Sequence, residues 1–185
     1  MAEISKPFSM IRDFVTDREV PNVGAEENRQ AVEKFLVEQK GYLKEDISVD
    51  VDIAVIVAGE PYRSQVDLVV SADGGKTRFM IIKCAAGSLG SREREIVAAA
   101  RLLDEYQIPC ALVSDGKTAT VLDTLTGQKV GDGLEAIPSK QAALAHLKSF
   151  KPVSFPKDRM EREKLIFRTY DIENVNVQRR VKKQL

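Results

Sequence analysis

The stretch QVDLVVSADGGKTRFMIIK, residues 65–83, decides the fold. Gln65 to Val70 is short and rich in β-branched residues, Asp73-Gly74-Gly75-Lys76 punctuates the chain, and Arg78 to Lys83 is an almost wholly apolar run that ends in a lysine. Runs of this kind bounded by Asp/Gly clusters form strands, and consecutive glycines accept the positive φ that a tight hairpin requires. An apolar run without alternation predicts a strand covered on both faces, near the middle of a sheet. Fifteen residues separate Asp67 from Lys83, enough for a hairpin that returns the lysine beside the aspartate.

Upstream, Ile47 to Val57 alternates Val49, Val51, Ile53 and Val55 against Asp50, Asp52 and Ala54, which predicts another strand, with GEPYRS (59–64) as the turn after it. Before that, Ala25 to Gln39 carries Ala31, Val32, Phe35, Leu36 and Gln39 at helical spacing and stops at Gly41. This phase sets Glu27 on the inward side with Ala31 and Phe35. Residues 1–22 read as a helical or extended lead-in, with Phe8, Ile11, Phe14 and Val15 as docking residues. Downstream, a loop of small residues (85–90) leads to Ser91 as a helix N-cap and a helix over Arg92–Gln107, whose alanines at 98–100 predict close packing on a sheet. Strands follow at Cys110–Ser114 and Thr118–Asp123, and a helix at Ser139–Ser149. Lys151–Lys157, with two prolines, reads as a linker to a last helix, about Asp158–Tyr170, and the basic tail QRRVKKQL.

The expected fold is therefore α/β: a mixed central β-sheet, an antiparallel meander plus a parallel crossover strand, flanked by helices. A helix crossing from the third strand to the fourth makes those two strands parallel. The expected organisation is a domain over residues 1–150, then linker, C-terminal helix and tail over 151–185.

Composition excludes several classes of function. The 185 residues carry 28 Lys/Arg and 28 Asp/Glu, so no global field attracts nucleic acid. The charge is uneven, however, with nine Lys/Arg against five Asp/Glu from Lys157 onward. No apolar run reaches the roughly 18 residues of a membrane span, and the first ten residues lack the apolar core of an export signal. The expected location is cytoplasmic, with no membrane partner. Two cysteines, Cys84 and Cys110, stand apart without nearby histidines, so they form no zinc motif, and Cys84 reads as a small buried apolar residue. A lone histidine, His146, in a helical stretch gives Ser-His-Asp or Cys-His chemistry nothing to stand on.

The helix, meander, helix and strand order, with an aspartate on the second strand of the meander and a lysine ending the third, resembles the PD-(D/E)XK nuclease superfamily. More narrowly, ENRQAVEKFLVEQKGY, VDLVV and IPCALVSDGKTATVLDTLTG are similar to the N-terminal domain of type I restriction enzyme R subunits, over about residues 15–135. The resemblance implies a restriction-endonuclease-like fold and DNA as the partner, with a homo-oligomer or a larger restriction-type assembly around it. It implies metal-dependent hydrolysis in which Asp67 ligates Mg²⁺, Lys83 orients the attacking water and Glu27 is an outer ligand. A hard ion of this type takes carboxylate and carbonyl oxygens, polarises the phosphate and acidifies a water.

One position departs from that pattern. The superfamily places an acid two residues before the lysine, and here Ile81 stands there. Two explanations compete: the fold persists as a silent DNA-binding or assembly module, or the acid has moved to the following helix. Glu93 and Glu95 lie in that helix's first turn, and Glu95 shares a face with Ala99 and Leu102, so it is the acid aimed at the strand ends. Acidic residues also favour helix N-termini for dipole reasons alone. Arg92 and Arg94, in the same turn, either grip a phosphate or pair with Glu95. A third reading is an interaction module with no nucleic-acid role. No GxxxxGK[ST] phosphate loop occurs, so ATP-driven translocation is not expected of this polypeptide.

Overall fold

The computed structural model describes residues 9–173. Phe8 and the tail at 178–185 lie outside them. The chain begins with a small antiparallel hairpin, β1 (Met10–Arg12) and β2 (Glu19–Pro21), followed by α1 (Glu26–Glu38). The main sheet is built from β3 (Ile47–Val57), β4 (Glu60–Ser71), β5 (Arg78–Cys84), β6 (Cys110–Ser114), β7 (Ala119–Asp123) and β8 (Lys129–Asp132) in spatial order 3-4-5-6-7-8. Every neighbouring pair is antiparallel except β5 and β6, which are parallel and joined by the crossover helix α2 (Gly90–Leu102). Helices α3 (Lys140–Leu147) and α4 (Met160–Glu173) complete the chain. This is the mixed α/β architecture that the meander and crossover pattern predict, and it is consistent with a restriction-endonuclease-like fold. Among the described residues no helix is long and apolar enough to cross a membrane.

β5 is apolar throughout because both of its faces are covered. Met80, Ile82 and Cys84 face α1 and pack with Val32, Leu36, Leu68 and Leu112. Ile81 faces α2 and packs with Ile96, Ala98, Ala99 and Val113. The alanines of α2 let the helix lie close on the sheet, and α4 packs on α2 and on β3. Ile81 is completely buried, so the position where the superfamily pattern has an acid is here the middle of a core.

Several features differ from the sequence expectations: α2 starts at Gly90, so Ser91 lies inside it and is not its N-cap, and it ends at Leu102 rather than Gln107. The turn after β3 is the dipeptide Ala58-Gly59, both with positive φ (51° and 84°), and β4 begins at Glu60, not Gln65. Pro61 fits in β4 because β5 pairs only with Leu68–Ser71, leaving the early part of β4 without a partner on that side. Residues 9–23 form the β1–β2 hairpin, and β8 is an unexpected edge strand whose four residues, KVGD, are mostly exposed and carry no apolar alternation.

The helix phase of α1 also differs. The inward line is Glu26, Arg29, Gln30, Val32, Glu33 and Leu36, whereas Glu27 and Ala31 are exposed. Polar residues occupy this face because they pair with one another, although Arg29 Nη1 and Glu33 Oε1 make no hydrogen bond. Arg29 pairs with Glu26, with Asp13 at 3.0 Å and with Glu33 at 3.4 Å, and all four side chains are at most 2% exposed. Gln30 and Glu33 also accept the backbone N–H groups of Phe14 (2.7 Å) and Val15 (3.2 Å), which docks the β1–β2 hairpin on α1. Burial, only partly opposed by Arg29, pushes the Glu33 carboxyl up to about 8. Burial also acts to raise Asp13, but hydrogen bonds from Thr16 and the charge of Arg29 outweigh it and hold Asp13 below its ordinary value.

Candidate active site

Asp67 and Lys83 meet across the β4–β5 hairpin, one step beyond the pair Leu68↔Ile82. Side chains alternate along a strand, so Lys83 shares the α2 face with Ile81 while Cys84 points to α1. The Lys83 ammonium is 3.8 Å from Asp67 Oδ2 and 3.2 Å from Glu95 Oε1 on the first turns of α2. Glu95 Oε2 in turn lies 3.7 Å from Arg92 Nη1. Asp67 Oδ2 accepts the backbone N–H of Cys84 at 2.7 Å, which fixes the carboxylate against the end of β5. Two carboxylates and two cations thus alternate in a line.

Burial is graded along that line. The side chains of Lys83 and Glu95 are 4% exposed, Asp67 13% and Arg92 22%, so the cluster opens to solvent at both ends. A buried ion pair stays charged only when its partners satisfy it, and here each acid has at least two. Cys84 contributes no nucleophile: burial, then the Asp67 charge, push its thiol well above the ordinary value, and it faces α1.

The backbone bends where the site forms. Pairing between β3 and β4 passes from Val49↔Leu68 to Val51↔Val66, skipping Asp50 opposite Asp67. Asp50 has φ 52°, a left-handed conformation that Asp tolerates better than most residues. Below this point the ribbon packs with the α1 cluster and beyond it with the α2 and α4 cluster. Strand alternation assigns Asp50 to an outer face, and nothing in the sequence marks the left-handed residue. Its charge is felt by Arg29.

Of the residues singled out in the sequence, the structure brings together Asp67, Lys83, Glu95 and Arg92. Glu27 is elsewhere in its contacts: it is exposed and accepts a 2.8 Å hydrogen bond from Asn22 Nδ2 in the preceding loop. The neighbouring Asn28, not Glu27, reaches β5, donating to Ala85 O at 2.7 Å. Gly116 permits this approach, since a Cβ there would lie 2.9 Å from the Ala31 Cβ. Glu93 is two residues from Glu95, about 200° around the helix, and does not join it. Arg94, about 100° from Glu95 on the other side, lines a separate cleft between α2 and α4.

Among the described residues no three His, Cys, Asp or Glu side chains are grouped to hold a metal. The pair that remains, Asp67 and Glu95, is an all-oxygen, doubly anionic donor set. It fits Mg²⁺ or Mn²⁺, ions that bind through one or two carboxylates and complete their shell with water and phosphate oxygens. It does not fit a soft metal, which would need thiolate or imidazole.

The family described as type I restriction enzyme R protein N terminus matches residues 24–138, well over half of the chain, a span that includes Asp67, Lys83, Glu95 and the whole main sheet. Comparisons with curated proteins and with solved structures gave no match. The chain belongs to the family of type I restriction enzyme R protein N termini.

Proposed function

We propose that this domain hydrolyses DNA phosphodiester bonds with a divalent metal, as a PD-(D/E)XK-type nuclease whose second acid has moved from the strand to the following helix. The observation that carries the reading is Glu95: it is buried, 3.2 Å from Lys83, and supplies beside Asp67 the carboxylate that Ile81 does not. Asp67 and Glu95 would hold Mg²⁺ or Mn²⁺, which when bound polarises the scissile phosphate and acidifies a water.

The chain's own residues divide the remaining work. Lys83 neutralises charge that develops on the phosphate in the transition state and donates a hydrogen bond that orients the attacking water. Its long side chain, packed along the apolar face beside Ile81, delivers the ammonium to one place and little else. The Cys84 N–H holds Asp67 in register with Lys83. Arg92 steadies Glu95 from the solvent side. Water oxygen bonds to phosphorus as the bond from phosphorus to the sugar oxygen breaks, the attacking water's proton passes to solvent at the open Asp67 end of the cluster, and the departing sugar oxygen takes a proton from solvent and leaves as a hydroxyl. The DNA-bound domain would work within a larger restriction-type assembly.

The test is incubation of the protein with supercoiled plasmid in Mg²⁺ or Mn²⁺. Nicking or linearisation by wild type, lost in Asp67→Asn and in Glu95→Gln, is the expected result. Plasmid left intact by wild type in both metals overturns hydrolysis and leaves a DNA-binding or assembly module of the same fold.

A further inference from the structure

Between α2 and the start of α4 lies a cleft of about 320 Å³ whose lining holds Arg94, Arg101, Arg159 and Arg162 against a single carboxylate, Glu163. Arg101 is a fixed post. Its guanidinium pairs with Glu163 at 2.9 Å, donates to Thr124 O and Leu125 O, and lies over the Phe155 ring. Arg94, Arg159 and Arg162 are exposed and form no ion pair with any described residue. Three uncompensated guanidinium groups therefore gather in one concavity of a chain with no net charge. Cations that share one concavity repel one another, and an anionic ligand would relieve that repulsion.

Helix geometry sets the direction of the cleft. Arg94 and Arg101 are seven residues apart, nearly two full turns, so they stand on one side of α2 about 10 Å apart along the axis. Arg94 directly precedes Glu95 in the chain, so the arginine row starts at the turn that supplies the candidate metal acid. Arg159, in the single 3-10 turn that runs into α4, and Arg162, in the first turn of α4, face it across the cleft. Guanidinium forks bind phosphate oxygens bidentately. Their spread along two helices suits successive phosphates of one strand better than a single small anion.

We infer that this arginine cleft binds the backbone of DNA beside the cleaved bond, a reading that rests on the nuclease function proposed above and extends it to a second surface. The contacts are to phosphates, so they position the duplex without reading its sequence.

The test is fluorescence anisotropy of a labelled duplex in EDTA, across a salt series, with Arg159→Ala/Arg162→Ala beside wild type. Both side chains are exposed and leave the core untouched. The double variant is expected to lower the slope of log affinity against log salt by about 2 and to weaken binding on the order of ten-fold or more, equally for unrelated sequences. Arg159→Lys/Arg162→Lys restores most of the slope. An unchanged slope in the alanine variant overturns the cleft assignment while plasmid cleavage, measured separately, still decides the nuclease reading. Duplex binding by neither protein also overturns the cleft assignment, and plasmid cleavage in Mg²⁺ or Mn²⁺ again decides the nuclease reading. Binding of inorganic phosphate that is lost in the variant, without duplex binding, also overturns the assignment and makes the cleft a small-anion site.

Discussion

On the α1 face of the sheet a single cation, Arg29, sits among three acids, Asp13, Glu26 and Glu33. On the α2 face Lys83 sits between two acids, Asp67 and Glu95, with Arg92 beyond Glu95. The chemistry of the two clusters is similar and their boundaries are not. Every member of the Arg29 cluster is at most 2% exposed, though Asp13 and Arg29 line the floor of a cleft, and Glu33 with its neighbour Gln30 accepts backbone N–H groups of the β1–β2 hairpin. The Lys83 cluster is closed in the middle and open at Asp67 and Arg92. A charge cluster buried at every member contributes first to holding the fold together, whereas one with wet ends can exchange its internal ion pairs for a substrate and a metal.

The largest effect that tests this contrast is on the sealed side. Arg29→Ala leaves buried carboxylates without a cation, and the expected loss is about 3–5 kcal/mol in urea unfolding. A loss as small as that of an exposed pair would contradict the sealed role. On the open side the order reverses. Glu95→Gln is expected to cut cleavage by roughly 10²-fold or more, with a smaller change in unfolding midpoint because Lys83 keeps Asp67. A variant that cleaves like wild type would move the second acid elsewhere.

Proton linkage separates the clusters further. Native Glu33 keeps its proton up to about pH 8, whereas the unfolded chain releases it near 4.5. The folded form therefore binds more protons across that window, and its stability falls as pH rises through it. Asp13, held low, works in the opposite sense and loses its contribution only on acidification. Glu33→Gln should abolish the decline between about pH 5 and about pH 8, as read by urea midpoints at both ends. A wild-type midpoint that does not decrease across the window would sink this account of Glu33. The smallest effect is expected at Glu27, exposed and tied only to its own loop. Glu27→Gln should change stability by less than about 0.5 kcal/mol and leave cleavage intact, and a loss of cleavage would restore it to the site.

The same contrast explains what was legible in the sequence. The meander, the crossover and the Asp67–Lys83 pairing rest on apolar runs and turn residues, which report burial directly. Glu95 was legible because it follows the alanine face of α2. The hydropathy phase of α1 points away from the observed one because four of its six buried residues are polar: Glu26, Arg29, Gln30 and Glu33 are inside by mutual pairing, which hydropathy cannot register. The same phase sets Glu27 inward. β8 and the β1–β2 hairpin escaped because short exposed strands carry no alternation. The arginine cleft joins residues 94–101 to 159–162, and only packing of α4 on α2 brings them together.

The most direct test of the central claim is calorimetric titration of Mg²⁺ or Mn²⁺ into wild type, Asp67→Asn and Glu95→Gln. The account predicts binding by wild type at about millimolar metal, the range of a site with few carboxylates, and its loss in both variants. No binding by wild type, or binding that survives Glu95→Gln, would contradict it.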